Sequence, residues 1–586
     1  MFLKKCFNKK TGKTQLSIVQ GYRVNGVVKN KVIENIGYLE ELREQFDDPI
    51  AHFKEIVKQM NKDEINKNNI EINLLEKLPD NTKNRKNLGY AVVKNIYNML
   101  GLYDLWQYKQ RFVKAKINLN AIFSLLVFTR FLFPSSIRQA FEHKTNYFEN
   151  YNCDLEDMYR ALDYFDEYSE DIQKLLAQKT KEKFGRKSQL GYYDVTNYYF
   201  EIPYEDDDLI DENGKIKKGF RKKGPSKEHR PDPIVQMGLL MDSAGIPIAY
   251  NLFSGGESEK VNMLPTIRRI KKDYGINRII VVADKGLNTS DNTAQLSGKN
   301  HDDMKYNDGY IYGQSILMSD KAFKEWVLDP KGYIVDKDNE ITFTHKSRII
   351  AKPVTVKNIQ GNRSIKREIY QKQMVYYSEK YAKKQFYDRA KVIDKAKKLI
   401  ANPDQYNKAT SRGVTGYIKN LHFSPETGEI IKKHTLELDI DKIMEESKYD
   451  GYYCIVTSEK DMSDVEIHNA YKGLWKIEES FKILKHEFDA RPIFVQTETH
   501  IKAHFLICYV ALVIGRYLEL LLKGKYNTKN IRNSLINYQC SYLEQNYYLF
   551  DYNDEILNVI GKIFNWEITQ KYMQVADIKK ILKIQN

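Results

Sequence analysis

At Leu190 the apolar periodicity of this chain changes from the helical spacing to strict alternation, and alternation then recurs in segments short enough to be strands. Residues 191–202, 234–241 and 246–253 read as three strands, 260–274 as a helix and 278–283 as a fourth strand. Asp242-Ser243-Ala244-Gly245 supplies turn chemistry for a hairpin between the second and third. The fourth strand, Ile279 to Ala283, delivers Asp284 directly before Lys285-Gly286, where the backbone must turn away.

Strand, strand, strand, helix, strand is the order of a ribonuclease-H-like core, so the fold expected is a multidomain α/β protein built on it. Residues 188–318 form its first part, with 310–318 as a fifth strand. Residues 319–458 read as a β-rich insertion, with strands at 340–356 and 451–457 and a basic helix at 381–400; the core resumes over 459–525. Upstream, residues 1–60 carry a hairpin signalled by Asn25-Gly26 and a helix opened by Asp48-Pro49. Residues 61–89 are Lys/Asn-rich and read as a linker, 90–187 as a helical domain, and 526–586 as a C-terminal helical region. A helix-turn-helix that reads DNA fits between Ser135 and Phe165, although any helical bundle offers such turns.

The net charge of +15 asks for an anionic partner, and nucleic acid is the commonest. Five scattered cysteines without a C-x-x-C pair suggest reduced thiols rather than a disulfide framework or a structural zinc. The charged start MFLKKCFNKK argues against an export signal, and a cytoplasmic protein is expected. Apolar runs at 119–133 and 505–515 fall short of the ~18 residues a membrane span needs and read as buried core helices, with no membrane partner.

Three acids sit where a metal site would be built: Asp194 within the first strand, Asp284 at the C-terminal end of the fourth, and Glu478 in YKGLWKIEESFKILK. Phosphodiester cleavage uses one divalent ion to activate the attacking oxygen and a second to stabilise the leaving one, and carboxylates are the hard ligands suited to Mg²⁺ or Mn²⁺. Tyr471, Glu478 and Lys485 are spaced by seven, and seven helical residues turn about 700°, within ~20° of two full turns. They are expected on one helix face, with the phenol and the ammonium holding a phosphate backbone over the metals.

The segment Tyr471 to Lys485 resembles the Tyr/Arg/Glu/Lys signature of the IS-four-like superfamily of bacterial insertion-sequence transposases. Tyr471, Glu478 and Lys485 match position by position, while Leu474 stands where the signature has Arg, with Lys476 two residues on. GYRVNGVVKNKVIENIGYLEEL, LEDMYRALDYF, SKEHRPDPIVQMGLLMDSAGIPIAYNLFSGGESE and ADKG resemble the long-chain branch of that superfamily, with its large insertion before the final Glu. The resemblance implies a DDE transposase that cuts and joins DNA, with Asp194, Asp284 and Glu478 as catalytic metal ligands and two Mg²⁺ (or Mn²⁺) ions as cofactor. It also implies terminal inverted repeats and target DNA as partners, a homodimer on paired ends, and association with the bacterial nucleoid when bound to DNA. Rival readings are a DNA-binding protein of this fold that has lost cleavage, and a nuclease without strand joining.

Each remaining candidate has a plain reading beside its functional one. The basic run holding Lys222, Lys223, Lys227 and Arg230 follows an acidic stretch and is either a solvated loop or a phosphate-binding one; Lys482 joins Lys485 as a DNA contact. Trp326, in the insertion, is a candidate platform for a displaced base, whereas Trp475 and Phe481 read as core. His500 and His504 lack the intervening Glu of a zinc protease and read as packing or a DNA contact; Glu259 fits a Gly-x-x-x-Glu pattern of the family that the chain resembles, and its plain reading is a helix-initiating acid.

Overall fold

The computed structural model describes the chain outside residues 10, 25–26, 66–74, 76, 81, 115, 186–188, 211–213, 215, 225–231, 298–307, 339–340, 358–363, 407–412, 423–429, 431–434 and 584–586. The chain divides into two compact units: Met1–Thr82 with Tyr542–Tyr548, and Lys83–Ser541 with Leu549–Asn586.

The first unit holds an antiparallel sheet of Phe2–Phe7, Thr14–Val24 and Val27–Tyr38. The second and third strands pair through Val24 and Val27, the hairpin expected; its Asn25-Gly26 turn lies outside the described residues. Helix Pro49–Ile65 follows, and Asp48 Oδ1 accepts from the N–H groups of Ile50 and Ala51 at 3.0 and 3.1 Å, which satisfies donors that no helical carbonyl reaches.

The second unit is built on one nine-stranded mixed sheet. Its strands are β1 (Leu190–Tyr199), β2 (Ile234–Asp242), β3 (Pro247–Ser254), β4 (Ile280–Ala283), β5 (Gly309–Gln314), β6 (Ile334–Asp338), β7 (Ile341–Lys357), β8 (Ser364–Tyr377) and β9 (Tyr452–Thr457). The order across the sheet is β6-β7-β8-β9-β5-β4-β1-β2-β3. β2 runs antiparallel to β1 and β3, while β4 runs parallel to β1 and β5. The β-rich segment after β5 is therefore no separate layer: through β9 its long β7–β8 hairpin continues the same sheet.

Alternation along β1 decides what each sheet face meets. Tyr193 and Val195 join Val281 and Ala283 of β4 and Tyr310 and Tyr312 of β5 in a buried core with Met263, Leu264, Ile267 and Ile270 of helix α3 (Glu259–Tyr274). Glu259 opens that helix, as expected of a helix-initiating acid. Tyr192, Asp194 and Tyr198 take the other face by the period of two.

Ahead of the sheet, helix α1 (Leu119–Leu132) is buried along nearly its whole length, and α2 (Leu155–Glu167) buries Met158, Ala161, Leu162 and Phe165. Helix Ile137–His143 and α2 are separated by a 3₁₀ turn and an extended stretch, too long for the three- or four-residue turn of a helix-turn-helix, which corrects that expectation. Three later helices complete the site: α5 (Asp464–Lys472), α6 (Trp475–Lys482) and α7 (Glu498–Leu521). Helix α7 has the length and hydropathy of a membrane span, but 78% of its apolar window is buried within the fold. The C-terminal stretch mixes helices with short strands; there Gln539, Cys540 and Ser541 pair with Asn87, Lys86 and Arg85.

Candidate active site

Strand register is what brings the first two acids together. β1 and β4 pair in parallel with Ile280 opposite Leu190, Val281 opposite Gly191 and Val282 opposite Tyr192. Carried on by two residues, that register sets Asp284 beside Asp194, on neighbouring strands ~4.8 Å apart and on the same face. The parallel register of β4 with β5, Ala283 opposite Tyr312, places Gly313 next in the same row. Asp284 caps the short turn Lys285–Leu287, its Oδ1 accepting from Gly286 N–H at 2.7 Å, and Asp194 Oδ1 accepts from Val195 N–H at 2.8 Å.

The third acid arrives on a helix laid over this face. Lys476 of α6 lies 5.9 Å from the Tyr192 ring and Lys485 5.4 Å from the Tyr198 ring, so the stretch carrying Glu478 runs over β1 between the tyrosines that bracket Asp194. Gly473 shows how closely it approaches: a Cβ there would stand 1.9 Å from the Tyr192 hydroxyl. Glu478 is exposed, whereas its neighbour Glu479 is bound to Arg516 at 2.9 Å. Arg516 is 6% exposed and also holds Glu519 at 2.7 Å, Ser480 Oγ at 2.8 Å and the Lys476 carbonyl at 3.1 Å, which fixes α6 to α7. Among the described residues no three His, Cys, Asp or Glu side chains converge within reach of one ion. Three like charges repel one another, so convergence needs a cation between them.

Tyr471, Glu478 and Lys485 do not lie on one unbroken α-helix, as the spacing of seven presumed: Tyr471 is in α5, Glu478 in α6 and Lys485 in the turn beyond it. Between α5 and α6 the backbone tightens into i→i−3 bonds, Leu474 N–H to the Tyr471 carbonyl and Ile477 N–H to that of Leu474, both at 3.1 Å. Beyond Lys482 it loosens into a π-helical turn, Ile483–Glu487. Both departures shift the helical phase. Tyr471 is 8% exposed and its hydroxyl lies 2.8 Å from that of Tyr453, packed so near Gly313 that a Cβ there would be 2.5 Å away. Burial pushes the Tyr471 phenol far above its ordinary range, with Asp284 adding to the shift. Burial likewise raises Tyr453, against the lowering effect of its bond to Tyr471, and Tyr381, Asp284 and Glu478 raise it further. The second and third acids thus act on one phenol, a residue the sequence did not single out.

The other predicted contacts divide. Lys482 and Lys223 are exposed, but Lys222 binds Asp208 at 2.7 Å, which raises its pKa and takes its ammonium away from phosphate. Arg221 is held by Asp206 in the same way, so two cations of the described part of the loop are paired with the acidic stretch before it. Lys227 and Arg230 lie outside the described residues. Trp326 is half-buried against the core, with Arg348 4.0 Å and Lys346 4.9 Å from its ring, cations that a stacking base would have to share the ring with. Trp475, expected in the core, is 53% exposed, while Phe481 is buried. Lys476 donates to the Ser243 carbonyl in the β2–β3 turn at 2.5 Å and is no substitute for the missing signature Arg. His504 bonds the Ala490 carbonyl at 3.2 Å and His500 stands 3.5 Å from Asp163, packing roles both.

Two family models match the chain. The transposase DDE domain matches residues 210–514, which include Asp284 and Glu478 and begin beyond Asp194. The N-terminal domain of the IS1634 family transposases matches residues 3–69. No curated protein matches. Among solved structures, a pre-cleavage Mos1 transpososome is similar at 11% identity and a TM-score of 0.10, over 28% of this chain and 51% of that one. The Mos1 mariner paired-end complex with Mn is similar at 11% identity and 0.11, over 42% and 64%. The match thus spans between half and two thirds of those chains, and at such TM-scores it carries no argument about the fold.

Proposed function

Because the chain belongs to the DDE-type insertion-sequence transposases, we propose that its second unit cuts and joins DNA at the edge formed by Asp194, Asp284 and Glu478. The observation that carries this reading is the β1–β4 register, which aligns two carboxylates on one face beneath the helix bearing the third. The strand order β3-β2-β1-β4-β5, with β2 reversed, supports a ribonuclease-H-like core that the segment between β5 and β9 interrupts. The match of Tyr471, Glu478 and Lys485 to the superfamily signature supports the IS-four-like assignment.

The three carboxylates offer hard oxygen donors and no softer ligand, the set that fits Mg²⁺ or Mn²⁺. Two such ions supply activation of the attacking oxygen and relief of charge on the leaving one. The chain does the positioning. Asp194 and Asp284 present donors from neighbouring strands, Glu478 closes the set from α6, and Arg516 holds α6 in place. Tyr471 and Tyr453 brace the helix beside Asp284, while Lys485 and Lys482 take DNA phosphates. The substrates are the element's terminal inverted repeats and target DNA, engaged by a homodimer on paired ends, with association with the bacterial nucleoid following from that DNA binding.

The test is cleavage and strand joining of duplexes carrying the element's ends, with Mg²⁺ or Mn²⁺ and after chelation, for the wild type and Glu478→Gln. Metal-dependent cutting and joining that Glu478→Gln abolishes while DNA binding persists is the expected result. Binding without cutting in the wild type overturns it in favour of a non-cleaving DNA-binding protein, and cutting without joined products in favour of a nuclease.

A further inference from the structure

Helix α4 (Glu379–Ala401), which leaves the end of β8, has two faces of opposite chemistry. Ala396 and Leu399 are buried with Val414 and Ile418, and Val392 packs against them. On the opposite side Lys380, Lys384, Tyr387, Lys391, Lys395 and Lys398 are exposed and follow the i, i+4, i+7, i+11 spacing of a single stripe, which also carries the exposed Asp394, three and four residues from Lys391 and Lys398, with exposed Asp388 at its edge. Among the described residues these five lysines have no ion-pair partner; Lys383, at the stripe's edge, is the lysine that Glu379 neutralises, at 2.7 Å.

The foot of this helix is pinned to the acid edge. Ser378 N–H donates to the Gly451 carbonyl at 2.9 Å, Gly451 N–H donates to Gln385 at 2.7 Å, and Arg389 is paired with Asp450. The Tyr381 ring packs 5.6 Å from that of Tyr453, the phenol that Asp284 and Glu478 both influence. A cleft of about 160 Å³ beside Lys285 is lined by Tyr381, Gln385, Arg389 and Tyr453. The lysine stripe begins on the same turn as Tyr381, which packs on Tyr453, and runs for 18 residues, roughly 27 Å at ~1.5 Å each, or about eight base pairs of duplex at ~3.4 Å each.

We propose that the exposed lysine face of α4 is a DNA-backbone track, binding phosphates along about eight base pairs of duplex next to the cleaved bond. A solvated basic face is the ordinary fate of such residues. Here five lysines without ion-pair partners outnumber the one acid, Asp394, on their face, and a buried opposite face holds them in a straight row with the charge and spacing of a phosphate contact surface. The inference rests on the reading of the second unit as a DNA-cutting enzyme, and its test separates the two.

Equilibrium binding to end-containing duplex is measured from 50 to 200 mM salt for the wild type, for K384Q/K391Q/K395Q, and for a control triple, K523Q/K562Q/K571Q, that removes the same charge from exposed sites in the C-terminal stretch. Each lost phosphate contact lowers the slope of log K against log salt by about 0.9, so the α4 triple should be shallower by roughly 2 to 3. The control should keep the wild-type slope. An unchanged slope in the α4 triple, in a wild type that binds and cuts, overturns the track and leaves the enzyme reading intact. Equal losses in both triples also overturn it, because net charge and not this face would then be read. A wild type that binds no DNA overturns both.

Discussion

The hydroxyls of Tyr453 and Tyr471 meet at 2.8 Å, joining the strand next to β5 to the helix that leads into Glu478. Both rings are largely withdrawn from water, so each hydroxyl depends on the other to avoid an unmet hydrogen bond. Tyr453→Phe or Tyr471→Phe alone should cost ~1–2 kcal/mol, and the double variant less than the sum, because it strands neither partner. Urea denaturation of the four proteins measures the coupling. Strict additivity would mean that the two hydroxyls do not support each other.

The same pair explains how far the sequence could be read. The placing of Asp194 within a strand and of Asp284 just past one was legible because a period of two and an abrupt strand end are local signals, and β4 ends at Ala283, directly before Asp284. The break in the helix between Tyr471 and Glu478 was not legible, since a spacing of seven presumes an unbroken α-helix and the backbone tightens at Gly473. Partner choice between distant segments was equally hidden. Nothing local in residues 341–377 shows that β8 joins the core sheet through β9, and nothing local elsewhere shows that Asp208 claims Lys222 or that Arg348 meets Trp326. The exposed Trp475 departs from its sequence reading because the buried side of α6 is filled by Ile477, Ser480 and Phe481.

Gly313 makes room for Tyr471, and that is a second prediction. A methyl group there would sit 2.5 Å from the phenol oxygen, inside any permitted contact. Gly313→Ala should destabilise by ~1–3 kcal/mol as overpacking does, and adding Tyr471→Phe should recover part of the loss by removing the clashing atom. Thermal melts of the single and double variants decide it; a double variant no better than Gly313→Ala would place the strain elsewhere.

Burial of His504 sets an acid limit on stability. Its pKa is lowered to about 3, by burial first and then by the Arg130 charge, against the opposing bond to the Ala490 carbonyl. Cys508 is its other close neighbour, at 3.7 Å. A base whose folded pKa is depressed contributes stability that is present above its unfolded pKa, ~6.5, and is lost as pH falls toward the folded value. Between pH 6 and 4 this one group should steepen the loss by about 1.4 kcal/mol per pH unit. His504→Gln, which cannot take up that proton, should unfold with a correspondingly flatter pH profile in urea titrations. Parallel profiles would show that His504 is protonated alike in both states.

Adjacent glutamates on α6 should fail in opposite ways. Glu478 is exposed and makes no bond that packing needs, whereas Glu479 belongs to the network around the nearly buried Arg516. Glu478→Gln should leave stability within ~0.5 kcal/mol of the wild type, as exposed substitutions do, while abolishing DNA cleavage. Glu479→Gln should cost ~1–3 kcal/mol by weakening a charged hydrogen bond, and it should lower cleavage only so far as α6 loosens. Arg516→Met, which strands Glu519 as well, should cost the most, ~3–5 kcal/mol, because it leaves acids unpaired inside the fold. Denaturation and cleavage measured on the same three preparations separate chemistry from support. If Glu479→Gln abolished cleavage at unchanged stability and Glu478→Gln did not, Glu479 would be the third acid of the site.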